Sequence, residues 1–338
     1  MRFNPNDERE SVYPNEEMKE SYEKSCYNWQ PTMEDKILRV TKSSLGTFEF
    51  CPLQYYYQNV LGIRGEQKDY HIRGKNIHDA IEWYWKESRD YMDGALKLLE
   101  KGDKESARMQ LRKAIPEPPE PYIYGEKAQI LKYTDWMFER LLNIDESVIE
   151  DWYPIGNEAE IHATRTVTAS DGTVVPIHMK GFIDRMFRDD DGKGVVLMEL
   201  KSGKYTKYKP KAMRTEMQFY RMMLEHSSYL EYTPVVAWAW AYPGGGINGG
   251  DGPKFFYESV HGRGPTLAPK RVEKNLVKLV DAHLKNEWDT KHNKSCSDFC
   301  NHEKICLPYC DFVDMCPAWT GECYAPDYTI FKRGENDT

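Results

Sequence analysis

The stretch that most constrains this chain is residues 175–204, VPIHMKGFIDRMFRDDDGKGVVLMELKSGK. Two apolar runs with β-branched and aromatic character, 181–187 and 195–201, flank Asp189-Asp190-Asp191-Gly192-Lys193-Gly194. Asp-Gly between such runs is a strong hairpin signal. With Asp191-Gly192 as the turn, Asp184 stands opposite Glu199, and directly opposed Cβ atoms in such a ladder lie about 4.5–5.5 Å apart. Side-chain alternation puts Val195, Leu197, Glu199 and Lys201 on one face. Two carboxylates and a lysine therefore converge. Such a group suits a hard divalent cation such as Mg²⁺, which takes oxygen ligands, keeps several waters and leaves room for a phosphate.

The competing reading is a solvated pair of acids whose repulsion Lys201 relieves. The neighbours weigh against it. Ile183, Met198 and Leu200 make the opposite face apolar, and Phe182, Met186, Val195 and Leu197 flank the acids on their own face. A sheet apolar on both sides is a buried one, and acids inside it need a partner or a metal.

The net charge of −8 over 338 residues argues against a DNA binder that works by bulk charge. The charge is uneven, however. Residues 1–36 carry nine acids against five basic residues, whereas residues 201–214, KSGKYTKYKPKAMR, hold six basic residues and no acid. That basic run leaves the acid-bearing strand directly, which suits a polyanion; a solvated lysine loop is the alternative. Tyr205 and Tyr208 within it could stack on bases. No apolar run is long enough for a membrane span and no signal peptide opens the chain, so a cytoplasmic protein with no membrane partner is expected. Six of the eight cysteines fall between Cys296 and Cys323. In that compartment clustered cysteines point to a metal or an iron–sulfur cluster rather than disulfides.

Along the chain, residues 1–38 read as a flexible acidic arm. Ser43 or Ser44 is placed to cap a helix carrying Leu45, Phe48 and Cys51. Residues 73–85 have helical spacing, with His78 and Glu82 on one face, and Gly74 suggests a close approach. Two amphipathic helices are expected at 91–114 and 125–142, divided by the prolines at 116–121. Strand character returns at 151–167, followed by a turn at TASDGT. After the basic loop come a helix at 212–229 with Arg214, Gln218 and Arg221 along one stripe, a buried strand at 235–241, an edge strand at 255–260 and an amphipathic helix at 269–288. The order predicts an α/β domain with a mixed central sheet flanked by helices.

Four motifs in this order resemble the PD-(D/E)XK nuclease superfamily, in its RecB-like and Cas4-like (AddB-like) branch. They are R-G-x-x-x-H at Arg73, Gly74 and His78; G-x-I/V-D at Gly181, Ile183 and Asp184; E-x-K at Glu199 and Lys201; and a helix with Gln218 and Tyr220. The branch spaces the last pair as Q-x-x-x-Y and this chain has Q-F-Y, which leaves the role of Tyr220 open. The resemblance implies a restriction-endonuclease-like core over residues 39–326. Within it lie a helical insertion at about 89–150 and an iron–sulfur segment at about 289–326, with a tail from 327 to 338. It also implies a metal-dependent DNA exonuclease acting on DNA ends, single-stranded by family analogy, in recombination, repair or processing, with partner proteins from those pathways.

In that reading His78, Asp184, Glu199 and the Leu200 carbonyl ligate Mg²⁺ or Mn²⁺, Lys201 orients the attacking water, and Gln218 positions the Lys201 region. Lys204, Tyr205, Lys207, Lys209, Lys211 and Arg214 track the DNA. The branch's [4Fe–4S] cluster takes one cysteine before the nuclease motifs and three after. Cys51 fits the first, and Cys306, Cys310 and Cys316 are the preferred three, with Cys296, Cys300 and Cys306 as the other set of equal spacing. Unused Cys296, Cys300, His302 and Cys323 could form a zinc site. The rival functions are a non-cleaving DNA- or partner-binding module on a degenerate nuclease fold, and a structural zinc protein.

Overall fold

A computed structural model describes residues 37–63, 69–117, 125–189, 192–203, 205, 209–227, 234–244, 253–289, 310–313 and 316. The acidic arm expected at 1–38 lies outside them except for its last two residues. Six strands form one mixed sheet. They are β1 (Leu38–Thr41), β2 (Gly156–Thr168), β3 (Val174–Arg188), β4 (Val195–Leu200), β5 (Val235–Tyr242) and β6 (Lys254–Ser259). The helices are α1 (Lys42–Phe50), α2 (Pro52–Tyr55, continued by a π turn over Tyr56–Val60), α3 (Asp69–Glu100), α4 (Lys104–Arg112), α5 (Glu126–Leu141), α6 (Lys209–Glu225) and α7 (Ala268–Lys285). This is the α/β sandwich with a mixed sheet that the residue pattern predicts. Among the described residues no helix is long and apolar enough to cross a membrane.

β3 organises the sheet because it is long enough to carry three neighbours. β2 runs antiparallel along one whole edge. The other edge is divided between two strands. β1 pairs in parallel with Ile177–Lys180, and β4 pairs antiparallel from Arg188↔Val195 to Arg185↔Met198. The β3–β4 register is the one the Asp-Gly turn predicts. In the described part of the turn, Asp189 N–H donates to the Gly194 carbonyl at 3.0 Å, and Gly192 takes φ +65°, a left-handed conformation suited to glycine. The ladder stops one pair short of Asp184 and Glu199, so the β3 edge between Lys180 and Arg185 pairs with neither β1 nor β4.

Both faces are covered. One core packs α6 and α7 on Ile161, Ile177, Met179, Leu197, Trp238 and Trp240. The other packs α3, α4 and α5 on Phe187, Val196, Met198, Leu200 and the alanines of β5. β4 is buried at all six positions, as a strand apolar on both faces must be. A third, small cluster unites Leu53, Tyr56 and Tyr57 with Phe312, and Cys51, Cys310 and Cys316 pack against it.

Local chemistry differs from the expectation in three places. Thr41, rather than Ser43 or Ser44, caps α1. Ser44 N–H donates to Thr41 Oγ1 at 3.0 Å and Thr41 N–H to Ser44 Oγ at 2.8 Å, a reciprocal capping box. The helix expected at 73–85 and the first half of that expected at 91–114 are one continuous α3, which ends before Gly102 at φ +78°. It runs through Gly94, where a Cβ would meet the Gln110 side chain of α4 at 2.8 Å, so the glycine lets α4 pack closely. Finally, two short 3₁₀ turns within Glu146–Trp152, divided by a kink at Val148 (φ −121°, ψ 29°), precede β2 where the strand was expected to have begun.

Close packing of α6 on β3 depends on Gly181, where a Cβ would lie 2.9 Å from Tyr220 Cε1. Gly181→Val should therefore destabilise the fold by about 1–3 kcal/mol. Gly46 in α1 has nothing within 4 Å, so Gly46→Ala should stabilise by about 0.5–1 kcal/mol. Urea midpoints at constant m-value check both, and equal effects of the two substitutions would refute the packing assignment.

Candidate metal centre and active site

The divided edge of β3 builds the site. β1 runs parallel to β3 and β4 runs antiparallel to it, so the C-terminal ends of β1 and β4 approach each other at the gap. The residues that follow, Lys42 and Lys201, come to the same carboxylate. Lys42 Nζ lies 2.6 Å and Lys201 Nζ 2.8 Å from Glu199 Oε1. Glu216, on α6, completes the set with Oε2 3.1 Å from Lys201 and 3.7 Å from Lys42. Asp184 fills the gap itself. Its Oδ2 accepts the Leu200 N–H at 2.6 Å, taking the place of a ladder bond just where the two strands part.

On the other side of Asp184 stands α3. His78 Nδ1 is 3.7 Å from Asp184 Oδ2 and 3.4 Å from Glu158 Oε1, and its Nε2 is 3.2 Å from the Leu200 carbonyl oxygen. Gly74, one turn earlier, lets α3 come close: a Cβ there would sit 3.1 Å from Ser202 Oγ. Glu158, on β2, also accepts from Arg185 Nη1 at 3.0 Å. Its backbone is left-handed, at φ +50°, inside a strand. A non-glycine residue held there costs about 1–3 kcal/mol, and such outliers gather at functional sites.

The electrostatics are divided. Burial, then the Glu199 charge, pushes the Asp184 carboxyl up to about 7. Burial would raise Glu199 as well, but Lys201 and Lys42 outweigh it and hold Glu199 at about 2. Burial disfavours the charged forms of His78, Lys42 and Lys201, yet the surrounding carboxylates raise all three above their ordinary values. Glu199 is thus ionised and compensated, whereas the Asp184 carboxyl keeps its proton up to near-neutral pH.

Donor chemistry fits a divalent cation. One ligand atom each from His78, Glu158 and Asp184 can be chosen so that all lie within 4.8 Å of one another. The Leu200 carbonyl borders the same space. Glu199 Oε2 is buried without a hydrogen-bond partner among the described residues, a spare oxygen where such an atom would otherwise be costly.

The structure brings together His78, Asp184, Glu199, Leu200 and Lys201 as expected. Gln218 is buried on α6, and the carboxylates that receive Lys201 are those of Glu199 and Glu216. Tyr220 lies beside the acids, and burial together with Glu199 and Asp184 raises its pKa well above the ordinary value. Of the expected DNA-tracking residues, Lys204 and Lys207 lie outside the described residues, and Lys209 and Lys211 fall in the first turn of α6 with side chains that also lie outside. Arg214 is held by Glu258 of β6 at 2.6 and 2.8 Å. The Tyr205 ring packs on Phe256 with centroids 4.9 Å apart. Cys51, Cys310 and Cys316 meet around one small core; Cys306 and the alternative group Cys296, Cys300, His302 and Cys323 lie outside the described residues. Sequence reasoning missed Lys42, Glu158, Arg185 and Glu216. Glu158 had a usable signal, since a hairpin turn at TASDGT brings β2 back along β3 and sets residue 158 against Asp184.

No curated protein matches the chain. A crystal structure at 2.19 Å of a "Putative exonuclease" from Eubacterium rectale is similar at 13% identity and a TM-score of 0.40, over 78% of this chain and 88% of that one. The sequence profile of the PD-(D/E)XK nuclease superfamily matches residues 39–317. That span includes Lys42, His78, Glu158, Asp184, Glu199, Lys201 and the described cysteines, and the chain belongs to the PD-(D/E)XK nuclease superfamily.

Proposed function

We propose that the protein is a metal-dependent deoxyribonuclease that hydrolyses phosphodiester bonds at DNA ends, of RecB-like and Cas4-like type, serving recombination, repair or end processing. The observation that carries this reading is the meeting of Asp184, Glu199 and Lys201 at the divided edge of β3, with His78 and Glu158 on the far side. His78, Asp184, Glu199 and the Leu200 carbonyl would hold Mg²⁺ or Mn²⁺, and Glu158 joins them. Such an ion supplies Lewis-acid stabilisation of the phosphate and a more acidic bound water.

The chain's own residues do the rest. Lys201, kept protonated by Glu199 and Glu216, donates to a phosphate oxygen as negative charge grows there. Water oxygen bonds to phosphorus and gives up a proton to solvent as the bond from phosphorus to the departing sugar oxygen breaks, and that oxygen leaves with a proton taken from solvent. Arg185 and His78 fix Glu158. Lys209 and Lys211 open α6, whose first turn has no acid. Basic residues there oppose the helix dipole, a cost that a bound DNA phosphate offsets. Single-stranded ends are the favoured substrate, with Lys204, Tyr205, Lys207 and Arg214 along the path.

A [4Fe–4S] cluster on Cys51, Cys306, Cys310 and Cys316 completes the proposal. Its support is the convergence of Cys51, Cys310 and Cys316 on the core of Leu53, Tyr56, Tyr57 and Phe312. Four thiolates fill such a site. Anaerobically purified protein should be brown and contain iron, and Cys51→Ala, Cys310→Ala and Cys316→Ala should each bleach it. Cys296→Ala and Cys300→Ala should remain brown. A colourless wild type containing zinc would remove the cluster from the proposal.

Chelation by EDTA should abolish digestion of end-labelled DNA and Mg²⁺ or Mn²⁺ should restore it. Asp184→Ala and Glu199→Ala should fall by about 10²-fold or more while remaining folded, and Glu158→Gln by about 10–100-fold. Full activity in either of the first two would overturn the assignment.

Metal affinity should rise with pH up to about 7 and then flatten, because Asp184 must lose its proton to bind. The metal-free protein should show the matching linkage. The folded pKa of Asp184 lies above its ordinary 3.8, so its contribution to stability is complete below that value and is lost as pH rises through about 7. Glu199, held at about 2, acts only at lower pH. Wild type should therefore lose melting temperature relative to Asp184→Asn between pH 5 and about 7 without metal, a comparison that cancels the opposite titration of buried His178 and His283; a difference independent of pH would refute the linkage.

A further inference from the structure

We infer that Lys42 is a second catalytic lysine, which contacts the scissile phosphate alongside Lys201. The inference rests on the nuclease reading and adds to it a residue from a different part of the chain. β1 and β4 end tail to tail on the same edge of β3, which makes Lys42 and Lys201 positional counterparts: each is the first residue beyond a strand that stops at the gap. Their ammonium groups share one oxygen, Glu199 Oε1, at 2.6 and 2.8 Å. The two nitrogens can be no farther apart than the sum of those lengths, close enough to hold two oxygens of one phosphate.

Lys42 is also built to stay in place. Its backbone begins α1, inside the Thr41–Ser44 capping box. Its Nζ lies 5.2 Å from the centre of the Tyr220 ring, a cation–π contact, and 3.7 Å from Glu216 Oε2. Lys42 is the nearer of the two ammonium groups to Glu199, at 2.6 against 2.8 Å, and Lys201 the nearer to Glu216, at 3.1 against 3.7 Å. Both side chains keep some exposure, 23% for Lys42 and 27% for Lys201, and a phosphate that reached one ammonium would meet the other.

The test compares wild type with Lys42→Met, Lys42→Arg and Lys201→Met on an end-labelled single-stranded oligonucleotide in Mn²⁺. Lys42→Met should lower kcat at least tenfold with less than a threefold change in KM, and Lys42→Arg should restore a substantial part of it. Because Lys42→Met also takes a cation from Glu199, melting temperature and calorimetric Mn²⁺ affinity are measured for both Lys42 variants, and Lys42→Arg should keep both close to wild type. Replacing a scissile phosphate oxygen by sulfur should slow wild type more than it slows Lys42→Met, because the variant has already lost the contact. A second arm measures oligonucleotide binding in Ca²⁺ or EDTA against salt. Loss of one phosphate contact should reduce the log–log slope by about 0.7. If wild type cuts DNA and Lys42→Met retains both its kcat and its salt slope, the inference is overturned and the nuclease reading stands. If wild type cuts no DNA, the nuclease reading falls, and the salt slope still decides whether Lys42 touches a phosphate.

Discussion

The constraint on which the site depends is one strand edge serving two partners. β3 offers fifteen residues, whereas β1 and β4 cover only the two ends of its second edge. A backbone edge left unpaired inside a protein must find other partners. At this edge the chain uses a side chain, with Asp184 accepting the Leu200 N–H at 2.6 Å. The carboxylate is therefore fixed by the same break in the sheet that opens space beside it. The two flanking strands end there by necessity, and whatever follows them is delivered to the gap. In this chain the residues that follow are Lys42 and Lys201.

Charge distribution then separates two acids that share a hairpin. Glu199 sits between two ammonium groups and stays ionised far below neutral pH. Asp184 has a histidine and the distant ends of those cations, and burial makes its ionisation costly. Environments that push paired titratable groups apart are how one site obtains different roles from similar side chains. The left-handed backbone of Glu158 adds to the cost, since it brings a third acid toward His78 and Asp184. The free energy stored in these arrangements has to be supplied by the two cores on either face of the sheet.

How much of this was legible in the sequence follows from the range of each interaction. The hairpin register was legible because an Asp-Gly turn fixes pairing locally. The nuclease motifs gave His78, Asp184, Glu199 and Lys201 for the same reason: each is recognisable within a few residues. Lys42 was not legible, because its importance arises from β1 pairing with a strand about 140 residues later, and nothing in Thr-Lys-Ser-Ser announces that. Glu216 was missed because attention to Gln218 followed a helical stripe, whereas the lysines are reached from a position two residues earlier. The expected helix at 91–114 runs through Gly94, as α3 does, but also through Gly102, whose φ of +78° ends α3. In β2 the apolar Ala159, Ile161 and Ala163 are buried, and so is His162 on the alternate face.

That covered polar face offers a comparison within the same strand. Toward its beginning, β3 places His178 and Lys180 against Glu160 and His162 of β2. His162 bridges His178 and Glu160 at 2.9 Å each, and Lys180 pairs with Glu160. These groups are as buried as Asp184, yet their charges are compensated among themselves. Burial lowers both histidines, His178 to about 3, so they stay neutral, and the Glu160 carboxyl is held low by His162 and Lys180 in spite of burial. A few residues on, the same strand presents Asp184 with its carboxyl pushed up to about 7 and no such closed account. Both clusters are polar, buried and built on β2 and β3. What distinguishes the second is that, among the described residues, the ion-pair partner of Asp184 is His78 at 3.7 Å rather than a lysine or arginine; a network that satisfies itself rigidifies the sheet, whereas one that does not favours whatever cation can enter.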